Sequence, residues 1–312
     1  MTRWPQEYED LREEARSFAE AVADGFAAQL AGLDPAAKIA KGREMMIVED
    51  APGGRDETIA GVPCRVFDPA GDQRRGTYLH IHGGGMIWGT PRMNDTDNDS
   101  LSTRLGVRVI SIDYRLAPEH PYPAGPDDCL TVARWVLDNE PGIIAIGGES
   151  AGAYFSVLTL LRVRDELDAV DRISGANLVF GCFDLSGTPS GRGMRPTDIR
   201  DVLGDDFREM VRGAYLPGFS MEDARQPSVS PLFADLRRMP RALFTVGHAD
   251  RLLDDSLFMS ARWMAFGNDA ELAVYPDCGH GFTFWPIELA KRARDRVDDF
   301  LGHVFEPTPS RN

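Results

Sequence analysis

One serine in this chain stands in surroundings that could turn a hydroxyl into a nucleophile. Ser150 is the centre of Gly148-Glu149-Ser150-Ala151-Gly152, preceded by the apolar run Ile143 to Ile146 and followed by an amphipathic stretch that begins at Tyr154 and Phe155. Strand, G-x-S-x-G turn and helix are the context of a nucleophile elbow, which lifts the serine Oγ off the carboxyl edge of a sheet. The positive end of the following helix then lies behind it. Glycines suit such a turn because the backbone is strained and closely packed, leaving no room for a Cβ beside the serine.

A serine hydroxyl is inert without a base, an acid that orients the base, and donors for the charge that develops on the attacked carbonyl. His82-Gly83-Gly84-Gly85 directly follows the short apolar run 77–81, and three glycines there expose successive N–H groups. Gly83 and Gly84, with the N–H of Ala151 after the nucleophile, are the expected oxyanion hole. In this chemistry the chain order runs serine, acid, histidine. His280 in Pro276-Asp-Cys-Gly-His-Gly-Phe282 comes after the last strand, and its glycine neighbours let the backbone turn the imidazole toward Ser150. Asp250, in Gly247-His-Ala-Asp250, follows the preceding strand and is the preferred acid; Asp277, three residues before His280, is its rival. His280 would take the Ser150 proton and return it to the leaving group, with Asp250 fixing the tautomer. Asp254 and Asp255 suit the first turn of the next helix and need no catalytic role. Cys278, two residues before His280, either borders the site or is a small buried apolar residue.

These groups must be held at the end of a sheet. Runs at 77–81, 107–112, 143–146, 177–180, 242–246 and 272–275 predict strands. Helical patterns at 98–105, 125–138, 150–164, 252–266 and 287–303 accompany them. Such alternation predicts an α/β fold, a mostly parallel sheet with helices on both faces. Residues 44–49 and 58–67 are expected as a leading antiparallel pair. Ahead of it, Trp4, Tyr8, Phe18 and Phe26 lie on the apolar stripe of a long helix over 4–30, with a second short helix after Asp34. Within 185–232 only 198–215 has a helical pattern, and so long an insertion points to a lid. The organisation expected is N-terminal cap helices over 1–45, a catalytic domain over 46–184 and 233–305, a cap insertion over 185–232 and a disordered tail over 306–312.

A chain of 312 residues with 43% hydrophobic and 27% charged residues can bury a large core. A formal net charge of −15 argues against nucleic acid or an anionic membrane as partner. The N-terminus lacks the apolar core of a signal peptide, and no run approaches a membrane span. Cys64, Cys129, Cys182 and Cys278 are scattered, without metal-like clustering, as expected of reduced thiols in a cytoplasmic protein with no metal site.

His82-Gly-Gly-Gly85, Asp113-Tyr-Arg-Leu-Ala-Pro-Glu-His-Pro-Tyr-Pro-Ala124, Gly148-Glu-Ser-Ala-Gly152, Ser230-Pro-Leu232, Asp250 and His280-Gly-Phe282 come in an order and spacing that resembles the hormone-sensitive-lipase-like family of microbial esterases. The likeness spans roughly residues 76–300. It implies an α/β-hydrolase fold with a helical cap, carboxylester hydrolysis without metal or organic cofactor, and often a homodimer. Glu149, Met86 and the stretch 181–187 depart from the family's usual residues, which bears on substrate preference. The expected activity is a serine carboxylesterase acting on short- to medium-chain esters through an acyl-enzyme. Trp88, Phe207 and Phe282 are the residues expected to touch substrate, with Met210, Val211 and Tyr215 lining a modest pocket. The N-terminal helix is expected to shape the acyl pocket. An amidase or metabolite-specific deacylase would use the same triad, and a non-catalytic ligand receptor of this fold would typically lack the histidine.

Overall fold

A computed structural model of the chain describes residues 4–46, 52–71 and 74–306. The strands are β1 (Arg55–Ile59), β2 (Val62–Phe67), β3 (Gly76–Ile81), β4 (Val107–Ile112), β5 (Ile143–Glu149), β6 (Ile173–Val179), β7 (Arg241–Gly247) and β8 (Ala270–Tyr275). They make one sheet in the order β1-β2-β4-β3-β5-β6-β7-β8. The β1–β2 and β2–β4 pairs are antiparallel, and every later pair is parallel. The chain therefore moves outward from β3 to β4 and returns on the other side of β3 as β5. Crevices at the carboxyl ends of strands open at such a reversal. The glycine run leaves β3 at that point and Ser150 leaves β5 beside it.

The helices after the first strands are α4 (Asp95–Leu105), α5 (Ala124–Asn139), α6 (Ala151–Leu167), α7 (Asp205–Tyr215), α8 (Leu253–Ala265) and α9 (Glu288–Val304) in the order of the residues given, preceded by three N-terminal ones, Gln6–Glu9, Arg12–Leu30 and Pro35–Met45. One buried cluster joins α5, α6 and α8 to the sheet through Val132, Phe155, Leu160 and Trp263. The other joins α4 and α9 to it through Leu101, Leu289, Ala293 and Phe300. With both faces covered, β3 is buried at every residue, which is why its sequence is a run and not an alternation.

Five expectations need correction. The stretch 58–67 is not one strand: Ala60 and Gly61, at φ 50° and 86°, turn it into the β1–β2 hairpin, as a two-residue loop with positive φ at both positions does. Of the proposed partner strand 44–49, Glu44 and Met45 end the Pro35–Met45 helix, and 47–49 lie outside the described residues. The helix expected over 4–30 is interrupted at Asp10 and Leu11. That expected over 198–215 is confined to α7, and β6 begins at Ile173, where Ser174 and Gly175 weaken the strand signal. The tail beyond Glu306 is outside the described residues.

The Arg12–Leu30 helix crosses the carboxyl rim of the sheet. Arg12 Nε donates to Asp277 Oδ2 at 2.8 Å, and Phe18 packs on Trp285 with centroids 5.2 Å apart, both on the loop after β8. Further along, Phe26 meets Trp88, on the loop after β3, at 5.8 Å. Asp34 caps the next helix by accepting from the Ala37 N–H at 2.8 Å.

Candidate active site

Ser150 occupies φ 56°, ψ −116°, between the end of β5 and the first residue of α6. That conformation is costly for a residue with a Cβ and is kept only where the surroundings over-determine it. Here the Ser150 N–H donates to the Val179 carbonyl at 2.9 Å. A Cβ on either Gly148 or Gly152 would collide with the Ile81 carbonyl, so the two glycines let β3 close against the turn.

From Ser150 a continuous chain of hydrogen bonds runs through the imidazole. Ser150 Oγ is 3.0 Å from His280 Nε2, and His280 Nδ1 is 2.9 Å from Asp250 Oδ2. A proton on Nδ1, donated to the carboxylate, leaves the Nε2 lone pair facing the hydroxyl. The second carboxylate oxygen of Asp250 accepts from the Leu252 N–H at 2.7 Å, and Asp250 is wholly buried. Burial works against the His280 imidazolium, but the charge and hydrogen bond of Asp250, with the charge of Asp201, outweigh it and raise the pKa. Phe180 stands edge-on to the His280 ring at 4.8 Å.

Asp277 takes no part in this chain. Its φ of 54° turns it toward the Arg12–Leu30 helix, where it pairs with Arg12 and lies 3.8 Å from His248 Nδ1. Cys278 is fully buried, and burial pushes its thiol pKa up. His82 holds its own loop: Nδ1 donates to the Gly83 carbonyl at 2.8 Å, and burial lowers its pKa to about 4.

Tyr114 accounts for part of the Tyr-Arg-Leu-Ala-Pro run. Its ring stacks on His82 at 4.2 Å, and its hydroxyl donates toward the carbonyls of His82 and Gly83 at 3.0 and 3.2 Å. The Gly84 carbonyl accepts from the N–H of Trp88 at 2.9 Å. With those carbonyls engaged, the N–H groups of Gly83, Gly84 and Ala151 make no hydrogen bond among the described residues. Gly83 is packed closely against the elbow: an added Cβ would lie 3.1 Å from the Glu149 carbonyl oxygen.

Two cavities meet at Ser150. One, of about 420 Å³, is apolar and is lined by Phe26, Trp88, Phe180, Phe207 and Trp285, with His280 and the Gly83–Gly85 backbone. The other, of about 480 Å³, lies between α7 and the 182–186 segment, with Ala151, Met86, Leu216, Arg208 and Arg212 on its walls. Trp88 lines the first of these cavities, and Phe207 lines both. Phe282 lines neither: it is fully buried, packed on Tyr275 and Phe180 at 5.2 and 6.1 Å behind the histidine loop. The aromatic its loop lends the cavity is Trp285, joined by Phe284.

Glu149, beside the nucleophile, points away from it. Its carboxylate takes Asn94 Nδ2 and lies 3.2 Å from His80 Nε2, anchoring the elbow to β3 and to the start of α4. That role was not readable from its neighbours in sequence.

This arrangement is that of an α/β hydrolase with a serine elbow. A family model described as alpha/beta hydrolase fold matches residues 78–284. The chain is 30% identical over 249 residues to a carboxylesterase of Mycobacterium tuberculosis, covering 75% of each, and 31% identical over 214 residues to an arylesterase of Saccharolobus solfataricus, covering 66% of this chain and 68% of that one. A hyperthermophilic esterase from Pyrobaculum calidifontis superposes with a TM-score of 0.81 at 27% identity, over 92% of this chain and 97% of that one. A hormone-sensitive lipase from a metagenome library gives 0.81 at 26%, over 94% and 98%. The chain belongs to the hormone-sensitive-lipase-like esterases of the α/β-hydrolase superfamily. It is a carboxylic ester hydrolase. Among the described residues no helix is long and apolar enough to cross a membrane.

Proposed function

We propose that the chain hydrolyses short- to medium-chain carboxylic esters through an acyl-enzyme on Ser150, with His280 as base and Asp250 as its orienting acid. The observation that carries this reading is the unbroken contact from Ser150 Oγ to His280 Nε2 at 3.0 Å and from His280 Nδ1 to Asp250 at 2.9 Å. His280 takes the hydroxyl proton as Oγ attacks the ester carbonyl, and the oxyanion is received by the N–H groups of Gly83, Gly84 and Ala151. The intermediate collapses, His280 protonates the departing alkoxide, and a water activated by the same imidazole releases the acid.

Because His280 delivers the proton to the alcohol, the alcohol must leave on the side where the imidazole stands. His280 borders only the apolar cavity of the two that meet at Ser150. The alcohol arm is therefore assigned to the aromatic cavity, and the acyl arm to the cavity beside Ala151 and α7. On this reading the N-terminal helix shapes the alcohol side, not the acyl side. Residues 1–45 and 185–232 act together as a cap over the catalytic domain formed by 46–184 and 233–305. The contact of Phe26 with Phe207 of α7, at 6.2 Å, supports that closure.

The test is acyl trapping. With a nitrophenyl butyrate, rapid quench and intact-mass spectrometry should find a butyryl adduct on Ser150 and none in Ser150→Ala. Turnover by Ser150→Ala at more than a tenth of the wild-type rate would remove the nucleophile assignment.

A further inference from the structure

The insertion between β6 and β7 does more than stand over the site: it grips the loop that carries Asp250 at the residues on either side of the acid. Arg195 Nη1 donates to the Ala249 carbonyl at 2.8 Å. Asp201 Oδ2 accepts from the Arg251 N–H at 2.6 Å, while its Oδ1 accepts from Leu203 N–H at 3.1 Å. A third tie follows, as Ser190 Oγ donates to the Arg251 carbonyl at 2.9 Å. Asp250 itself, between the first two ties, uses its own oxygens for His280 and for Leu252 N–H.

We propose that Asp201, reaching in from the insertion, is a positioning residue for the triad: it fixes the Asp250 loop through Arg251 and adds its negative charge to the field at His280. The proposal rests on the triad reading above. The charged groups around Asp201 are Asp250 and His280 from the catalytic loops, Arg195 from the insertion and Arg251, whose side chain is paired with Asp205. Burial and the charge of Asp250 push the Asp201 carboxyl up to about 6, against the pull of His280 and of the N–H groups of Leu203 and Arg251. In its ionised form the Asp201 carboxylate helps hold the imidazolium at His280. Any acceptor could bind Arg251 N–H; only a charged one also acts on the base.

Two substitutions separate these effects. Asp201→Asn keeps an oxygen for Arg251, gives up the acceptor facing Leu203 N–H, and removes the charge. Its acid limb of kcat/KM should move to lower pH by about half a unit or more, roughly a threefold difference at a fixed pH on the limb. Asp201→Ala removes both, so its limb should move likewise and its plateau kcat should fall at least about tenfold with little change in KM. A folded Asp201→Asn enzyme whose limb superposes on that of the wild type overturns the proposal while leaving the triad standing. A wild type with no acid limb at all overturns both. Should the Asp201 variants fail to fold, Arg195→Gln carries the test. It keeps the carboxylate but removes the cation facing Asp201 and Asp250 together with the tie to Ala249, so its limb should move to higher pH, and coincidence with the wild type refutes the role.

Discussion

Removing the Phe26 side chain should damage catalysis in proportion to the length of the alcohol, and not of the acid. Phe26 reaches the cavity from the N-terminal Arg12–Leu30 helix, its ring 5.8 Å from Trp88 and 6.2 Å from Phe207. Those three rings form one wall of the cavity on the His280 side of Ser150. A butyl or hexyl group lying there would place about two methylenes against Phe26. At ~0.8 kcal/mol for each methylene buried, the variant loses ~1.6 kcal/mol of transition-state binding, about fifteenfold in kcat/KM. A methyl ester has nothing to place against the ring and should lose less than about twofold. Phe26 is only half-buried, so the substitution should leave the fold intact, which a thermal melt by circular dichroism would check. Initial rates by pH-stat for methyl, butyl and hexyl butyrates, beside butyl acetate and butyl hexanoate, give both series. A loss that is uniform across alcohols, or that tracks the acid instead, would refute the assignment of arms to cavities.

Other substitutions address the chemical step. Ser150→Ala should lower kcat by on the order of 10⁴ or more with KM little changed. Asp250→Asn should cost about 10⁴ through the wrong imidazole tautomer, whereas Asp277→Asn should cost less than about tenfold; a reversal of those two losses would unseat Asp250. The base must be neutral, and the pKa of His280 is raised, so kcat/KM should fall as pH drops through a range above the ~6.5 of a free imidazole. A flat profile from about pH 5 to 9 would exclude a histidine base. Cys278 is buried with its thiol held protonated, so a bulky maleimide should leave the folded enzyme active, and inhibition lost in Cys278→Ser would show that the thiol is reached.

The elbow, the glycine turn and the histidine loop were legible because each depends on local backbone geometry that only certain residues permit. A Cβ at Gly148 or Gly152 would strike the Ile81 carbonyl, and that constraint is written in the chain beside Ser150. The βα order was legible for a similar reason, since strands buried on both faces read as runs. What escaped depends on contacts across the fold. Nothing near Phe282 distinguishes a ring behind the histidine from one in the cavity; only the turn at Gly281, with φ 79°, sends Phe282 inward and leaves Phe284 and Trp285 at the site. The hairpin at Ala60 and Gly61 was missed because Gly61 alone, inside an otherwise strand-like run, also reads as a bulge.

The placement of Asp250 and Asp277 shows why nearness in sequence is a poor guide to which carboxylate meets a histidine. The two residues follow neighbouring strands, β7 and β8, so sheet pairing brings both within one rim. Asp277 is three residues from His280, yet its positive φ points the carboxylate at Arg12 of the N-terminal helix. Asp250 is thirty residues away and meets the imidazole because the β7 loop folds beneath it. The same geometry divides labour between the segments outside the βα repeats. The N-terminal helix holds the histidine loop through Asp277, and the insertion holds the acid loop through Arg195 and Asp201. A histidine and a carboxylate carried on separate loops keep a 2.9 Å contact only if both loops are restrained. Each restraint comes from a different segment, so loosening either one should weaken the triad without touching a residue that meets the substrate.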